Sequence, residues 1–518
     1  MKTSAAFLIG LMLAPLPTFA GAVQTDGGLV EGVRAGPLTV YKGIAFAAPP
    51  VGPLRWREPQ PLIPWEGVRK ADKFAPACMQ TGVSMPGETP PVSSEDCLYL
   101  NIWTPARDDD ARLPVMVWIY GGAFSNGSAS MPLYWGDRLA QKNAVVVTFG
   151  YRLGPLGFLA HPELTRESPH HTSGNYGLLD QIAALQWVQR NIRAFGGDPG
   201  CVTILGQSAG ANSVSILMAS PLAKGLFHRA IGQSSGLFEP LKLAPNYLLA
   251  NAEHEGEAYA ASLGAHSLAE LRALSASELL KGKAGSISHP VIEPYMLPES
   301  PYDVFVQNRQ NDVPILVGSN ADEARSLLPD LNTIKAETFT ADITKQWGPL
   351  PPQLMAAYPH ATDEQARKAR LSFERDLRFG WDMWAWARLE AMKGRNRVYY
   401  YQFAHKPPFP KGSVYEGWGA SHYAELWYMF DHLQQEPWHW SAADRKLADV
   451  MSSYWVNFAK SGNPNGVRLP VWSEFTSVDN RVLYLNDPIY TGGVPNIETL
   501  KVFDMVYAQV RGAPFGSR

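Results

Sequence analysis

The chain has 518 residues, 46% of them hydrophobic and 18% charged, with 45 Lys+Arg against 48 Asp+Glu. That apolar share excludes wholesale disorder, and a net charge of −3 gives no electrostatic footprint for nucleic acid. Three cysteines are too few for a disulfide scaffold or a Cys-rich zinc module, which leaves a large globular protein with enzyme as the default expectation.

At the N-terminus, Met1-Lys2 precedes an apolar run over residues 5–13, and Thr18-Phe19-Ala20 has the small-residue form of a cleavage site. Residues 1–20 therefore read as a secretory signal peptide, too short to span a membrane. Pro15 and Pro17 argue against a buried helix there. Residues 21–518 are expected to form a single domain, secreted or periplasmic, with no Pro/Gly/Ser linker dividing it and no stretch approaching the ~20 apolar residues of a membrane span. Cys78 and Cys97 flank a Gly/Pro/Ser/Thr-rich stretch that reads as a surface loop. In an oxidising compartment a bridge closing such a loop would contribute about 3 kcal/mol. Cys201 is then left over, beside the apolar run 202–205, and reads as a buried, inert thiol.

Short apolar runs at 115–119, 144–149, 202–205, 313–317 and 398–403 predict strands covered on both faces, the mark of a parallel sheet. Helical patterns lie between them. The clearest, 178–192, puts Leu178, Ile182, Leu185 and Val188 on one stripe. Strands alternating with helices predict an α/β fold, and the helix-forming stretches 252–280 and 363–392 predict insertions that cover the sheet.

After the first of these runs, Tyr120-Gly121-Gly122-Ala123-Phe124 has the form of a glycine-rich turn that lends backbone N–H groups to an oxyanion hole. Gly206-Gln207-Ser208-Ala209-Gly210 matches G-x-S-x-G, the turn that exposes a serine between a strand and a helix. Alone the match is weak, because residues 232–236 (GQSSG) fit it too. Only the first has an apolar run before it and helical spacing after it, at Ala211, Val214 and Met218; Pro240 argues against a helix after the second. Ser208 is the candidate nucleophile and Ser234 reads as structural. No HExxH or comparable His/Asp/Glu ligand spacing occurs, so a metallohydrolase is not expected, and chemistry at a serine nucleophile requires no metal or organic cofactor.

Eight ordered segments carry a family resemblance: residues 41–61 (YKGIAFAAPPVGPLRWREPQP), 94–105 (SEDCLYLNIWTP), 117–124 (VWIYGGAF), 145–159, 174–210, 317–326 (VGSNADEARS), 419–426 (GASHYAEL) and 458–465 (FAKSGNPN). On these segments the chain resembles the type-B carboxylesterases, the cholinesterase-like branch of the α/β-hydrolase fold. The resemblance implies a central, mostly parallel sheet flanked by helices, with large helical insertions. It implies a serine carboxylesterase that hydrolyses small-molecule esters through an acyl-enzyme, without nucleic acid or stable membrane insertion. Glu323 falls at the acid of the triad, with adjacent Asp322 as the alternative, and His422 falls at the general base. The order Ser208, Glu323, His422 is the nucleophile–acid–base order of this fold. The oxyanion hole would come from the N–H groups of Gly122, Ala123 and Ala209. Cys78–Cys97 matches a family disulfide, and Arg55–Glu95 and Arg152–Asp180 match structural ion pairs. Two other readings of the same fold are a lipase or specialised hydrolase of bulky natural esters, and a non-catalytic adhesion protein; the latter typically lacks a triad residue, and all three are present here.

Several positions depart from the family pattern. Gln207 stands where the family usually has Glu, and the stretch between Cys78 and Cys97 holds no aromatic to offer a cation–π face, so choline esters are not expected substrates. Ala123 replaces the third oxyanion glycine. Gly236 stands where the family often has a serine behind the triad, with Ser235 beside it as a substitute. Trp427 replaces a common Pro.

Overall fold

The computed structural model describes residues 20–517, apart from 84, 86–88, 283–286 and 329. The expected signal peptide lies outside the described residues except for Ala20. Among the described residues, eleven strands form the central sheet: β1 (Val33–Ala35), β2 (Leu38–Ala45), β3 (Tyr99–Thr104), β4 (Leu113–Ile119), β5 (Val145–Phe149), β6 (Gly197–Gln207), β7 (Arg229–Gln233), β8 (Ile315–Asn320), β9 (Val398–Phe403), β10 (Val482–Leu485) and β11 (Tyr490–Gly492). Their spatial order is β1-β2-β3-β5-β4-β6-β7-β8-β9-β10-β11.

Pairing from β5 across to β10 is parallel, and the pairs at both margins of the sheet are antiparallel. All five predicted strands fall in the parallel part. The reason is burial on both faces: Val115, Met116, Val117 and Ile119 of β4 are wholly buried, as are Ile315, Leu316 and Val317 of β8. Of the marginal strands, β1 and β11 have three residues each, whereas β2 and β3 are largely buried but have their apolar runs interrupted by Thr39, Lys42 and Asn101.

Parallel neighbours need crossovers, and helices supply them. The helix predicted over 178–192 is α1 (Tyr176–Asn191), with Leu178, Leu185 and Val188 wholly buried. It is followed by α2 (Ala209–Ala219), α3 (Leu249–Ser262), α4 (Asp363–Arg375), α5 (Trp381–Lys393), α6 (Ala442–Ser461) and α7 (Ile497–Arg511). Helix formation over 252–280 is broken into three pieces, because Ser267 and Ser275 act as N-caps and restart the chain at 268 and 276. The stretch 363–392 is also not uniform: a π turn, Asp376–Gly380, joins α4 to α5. No described helix is long and apolar enough to cross a membrane.

Cys78 and Cys97 are disulfide-bonded. Arg55 grips Glu95 through Nε and Nη2, and Arg152 grips the wholly buried Asp180 in the same two-pronged way. Cys201 departs from expectation. It lies one residue before the buried run, is only partly covered, and its sulfur takes a hydrogen bond from Arg229 Nη1 at 3.2 Å.

This topology decides where chemistry can sit. β6 ends immediately before Ser208, β8 ends three residues before Glu323, and His422 lies in the segment after β9. Parallel strands present their carboxyl ends at one edge, so three residues distant in sequence converge there.

Candidate active site

Ser208 forms the corner between β6 and α2 with φ 57° and ψ −125°, a conformation that costs a non-glycine residue about 1–3 kcal/mol. The corner is held by a bond from Ser208 N–H to Gln233 O (2.9 Å) and by bonds from Ala211 and Asn212 N–H to Ser208 O (2.8 and 3.0 Å). Both motif glycines are required by close backbone approach. A Cβ on Gly206 would lie 2.4 Å from Gly210 O, and one on Gly210 would lie 2.0 Å from Ile119 O. The second motif match is different. Ser234 also has positive φ, but it is wholly buried and no helix follows it before Pro245.

Glu323 opens a single 3-10 turn after β8 and is wholly buried. Its Oε1 accepts from Asn320 N–H at 2.8 Å, and its Oε2 lies 2.6 Å from His422 Nδ1. Asp322, the alternative acid, is used otherwise. It accepts from Ala420 N–H at 2.9 Å and donates its own N–H to Ala420 O at 2.9 Å, clamping the segment that carries His422. Gly419 makes that clamp possible, since a Cβ there would stand 2.3 Å from Asp322 Oδ2.

With Nδ1 paired to Glu323, Nε2 of His422 is the ring atom free to accept a proton. The ring is stacked on Phe379 at 4.6 Å between centroids and met edge-on by Tyr423. Phe379 belongs to the π turn and was not foreseen, because a register insertion within a helix leaves no trace in apolar spacing. Gln207 reaches the same ring, with Nε2 3.2 Å from His422 Nε2 and 3.4 Å from Nδ1. Ser208 is half-buried, and its Oγ makes no hydrogen bond among the described residues.

The glycine-rich turn packs directly on this corner: a Cβ on Gly121 would lie 2.6 Å from Gln207 O and 2.9 Å from Ser208 Cβ. Gly122 has φ +109°, and its carbonyl accepts from Ser125 and Asn126 N–H, which fixes the turn. The N–H groups of Gly122, Ala123 and Ala209 find no acceptor among the described residues. Three backbone donors therefore stand unused around the serine. Ser235 does not take the place of a serine behind the site, because its hydroxyl donates to Asn212 Oδ1 at 3.1 Å.

Two further groups escaped the sequence reading although they lie inside its quoted motifs. Asn320 and Glu425 are wholly buried, and Asn320 Nδ2 donates to Glu425 Oε2. Burial and the nearby charge of Glu323 push the Glu425 carboxyl up to about 7. No group of three or more His, Cys, Asp or Glu side chains fit to hold a metal ion occurs among the described residues.

A serine on a strand–helix corner, with an imidazole–carboxylate pair delivered by later strand ends of one parallel sheet, defines an α/β-hydrolase. The chain belongs to the carboxylesterase family, whose sequence profile matches residues 20–493, and it is a carboxylic ester hydrolase. It is 40% identical over 473 residues to the fumonisin B1 esterase of Sphingopyxis macrogoltabida, spanning 87% of this chain and 84% of that one. It is 35% identical to the para-nitrobenzyl esterase of Bacillus subtilis, spanning 90% and 96%. Among solved structures, the Geobacillus stearothermophilus carboxylesterase EST55 superposes with a TM-score of 0.81 at 31% identity, covering 93% of this chain and 99% of that one.

Proposed function

We propose that this protein is an exported serine carboxylesterase in which Ser208 is the nucleophile, His422 the general base and Glu323 the acid that orients it. The observation that carries this reading is the 2.6 Å contact between His422 Nδ1 and Glu323 Oε2, with the same ring touching the residue next to Ser208. Ser208 Oγ attacks the ester carbonyl while its proton passes to His422 Nε2. The carbonyl electrons move onto oxygen, which the N–H groups of Gly122, Ala123 and Ala209 receive. Collapse of that oxyanion breaks the C–O bond, and the imidazolium returns its proton to the departing alcohol. Water then attacks the acyl-serine, losing a proton to His422. Collapse of the second oxyanion breaks the acyl–Oγ bond, His422 returns that proton to Ser208 Oγ, and the acid leaves.

Residues 21–518 act as one catalytic unit in this reading. Export is supported by the composition of residues 1–20 and by the Cys78–Cys97 bond, which persists in oxidising compartments. The neutral Gln207 side chain supports uncharged esters over choline esters as substrates.

The test is covalent labelling of the intact chain with an organophosphonate, read by mass spectrometry, beside hydrolysis of esters from acetyl to long acyl. One label on Ser208 with ester turnover is expected. No label on Ser208 would sink the serine mechanism and favour the adhesion-protein reading, and activity confined to emulsified long-chain lipid would make the enzyme a lipase.

A further inference from the structure

We propose that Asn320 and Glu425 are positioning residues of the Glu323–His422 pair, acting on proton transfer from Ser208 and not on ester binding. This inference rests on the serine-esterase reading above.

Asn320 is the last residue of β8 and the point at which three bonds diverge. Its main-chain N–H donates to Glu323 Oε1 at 2.8 Å, and its Nδ2 donates both to Ser421 O at 2.7 Å and to Glu425 Oε2. One residue thus touches the acid, the residue before the base and a second carboxyl group. The need for such a tie follows from where His422 stands. Glu323 lies three residues past the end of β8, whereas His422 sits nineteen residues past the end of β9, in a segment without regular structure. Its distance from Glu323 is set by a few ties only: main-chain bonds from His422 N–H to Glu323 O (3.4 Å) and from Asp322 N–H to Ala420 O (2.9 Å), and side-chain bonds joining Asp322 to Ala420 and Asn320 to Ser421.

Glu425 anchors the other end. Its Oε1 accepts from Gln233 Nε2 at 3.2 Å, and Gln233 Oε1 accepts from Trp455 Nε1 of α6 at 3.0 Å. The Gln233 carbonyl is also the acceptor for Ser208 N–H. A continuous chain of bonds therefore runs from Trp455 through Gln233, Glu425 and Asn320 to Glu323 and His422, with the serine corner attached to it. Trp455, Gln233, Glu425, Asn320 and Glu323 are all wholly buried, so no ester touches them.

The titratable groups that face Glu425 are Glu323, His422 and Tyr401. Below about pH 7 the Glu425 carboxyl keeps its proton and adds no charge behind His422. Above it, a second negative charge appears behind His422 and stabilises the imidazolium. Removal of that carboxyl therefore alters the pH dependence of the chemical step, which a purely structural residue would leave alone.

The test uses the full-length Asn320→Ala and Glu425→Gln variants, with kcat and KM followed across the neutral range, phosphonate labelling rates and thermal melts. For Asn320→Ala, kcat and labelling rate should fall about 10–100-fold with KM within about threefold, the cost of a small misplacement of the base. Glu425→Gln sets an amide NH2 against the donor of Gln233 or Asn320, so its melting temperature should fall. Below that temperature the folded variant should lose the change in kcat centred near pH 7. Should Asn320→Ala fail to fold, Glu425→Gln decides by its pH profile. Unchanged kcat and pH profile in folded variants, or an effect on KM alone, would overturn the inference while leaving the serine mechanism intact. A wild-type chain that takes no label overturns the mechanism itself, and the two failures are thereby distinguished.

Discussion

The side-chain nitrogen of Gln207 lies 3.2 Å from Nε2 and 3.4 Å from Nδ1 of His422, against the ring proposed to take the proton of Ser208. Nδ1 is committed to Glu323, and an amide nitrogen so nearly equidistant from both ring nitrogens stands over the ring and off the Nε2 lone pair, which stays open to a hydroxyl. Gln207 Oε1 has no partner among the described residues. A neutral amide beside the ring adds no charge there; a carboxylate in its place would favour the imidazolium.

Gln207→Glu should therefore raise the proton affinity of His422. The base works only when neutral, so the acid limb of kcat/KM should move to higher pH, by about one unit. The same variant should gain on cationic esters relative to neutral isosteres, whereas the wild-type chain should show little such preference. A pH–rate profile that superposes on wild type would show that Gln207 does not govern the base, and a large wild-type advantage for choline esters would contradict the substrate expectation.

Ser208→Ala should lower turnover by a factor on the order of 10⁴–10⁶, as removal of the nucleophile does in other serine hydrolases, and should abolish phosphonate labelling. Ser234→Ala should retain the label, because the Ser234 hydroxyl is wholly buried in a turn with no helix behind it. Labelled peptide mapped to residue 234 would reverse the assignment of the two motif matches.

At the proposed oxyanion turn, the role falls to backbone donors and not to a side chain. Gly122→Ala puts a methyl 2.2 Å from Asn126 O at a residue with φ +109°, so the turn must shift and its N–H groups with it. A kcat loss of about 10²–10³-fold is expected, the usual cost of one oxyanion donor. Ala123→Gly keeps its N–H and should stay within a few-fold of wild type. Equal losses in both variants would mean that the Ala123 methyl, and not the donor set, matters to the site.

The parts of this molecule that sequence made legible are those that answer to burial or to a sterically forced motif. β4, β5, β6, β8 and β9 show as apolar runs because helices cover both faces. Ser208 shows because two glycines must flank it for β6 and α2 to cross. The acid is different: Asp322 and Glu323 are adjacent carboxylates, and only the turn after β8 determines that one meets His422 and the other Ala420. Family pattern alone favoured Glu323 over its neighbour. Phe379 was illegible because the π turn that aims it at His422 leaves the helical pattern of 363–392 intact on either side. Ser235 was misread because rotation of one hydroxyl toward Asn212 is a local choice that no motif records.

Glu390 gives the fold a pH dependence separate from catalysis. It lies on α5, wholly buried, accepting from Gln310 Nε2 at 3.3 Å; burial first, and then the charge of Asp312, push its carboxyl up to about 8. In the unfolded chain the same group titrates near 4.5. Between those values the folded protein holds a proton that the unfolded chain has released, so stability is greatest at the acid end and falls as pH rises from about 4.5 to about 8. Above that window the buried carboxylate exacts its full cost, on the order of a few kcal/mol by linkage. Glu390→Gln keeps the shape and can still accept from Gln310, but cannot ionise. Its Tm should match wild type near the acid end of the window and exceed it increasingly toward alkaline pH, with ester turnover unchanged in the folded enzyme. Melting curves for the two chains that stay parallel across the window would assign the alkaline loss of stability to another group.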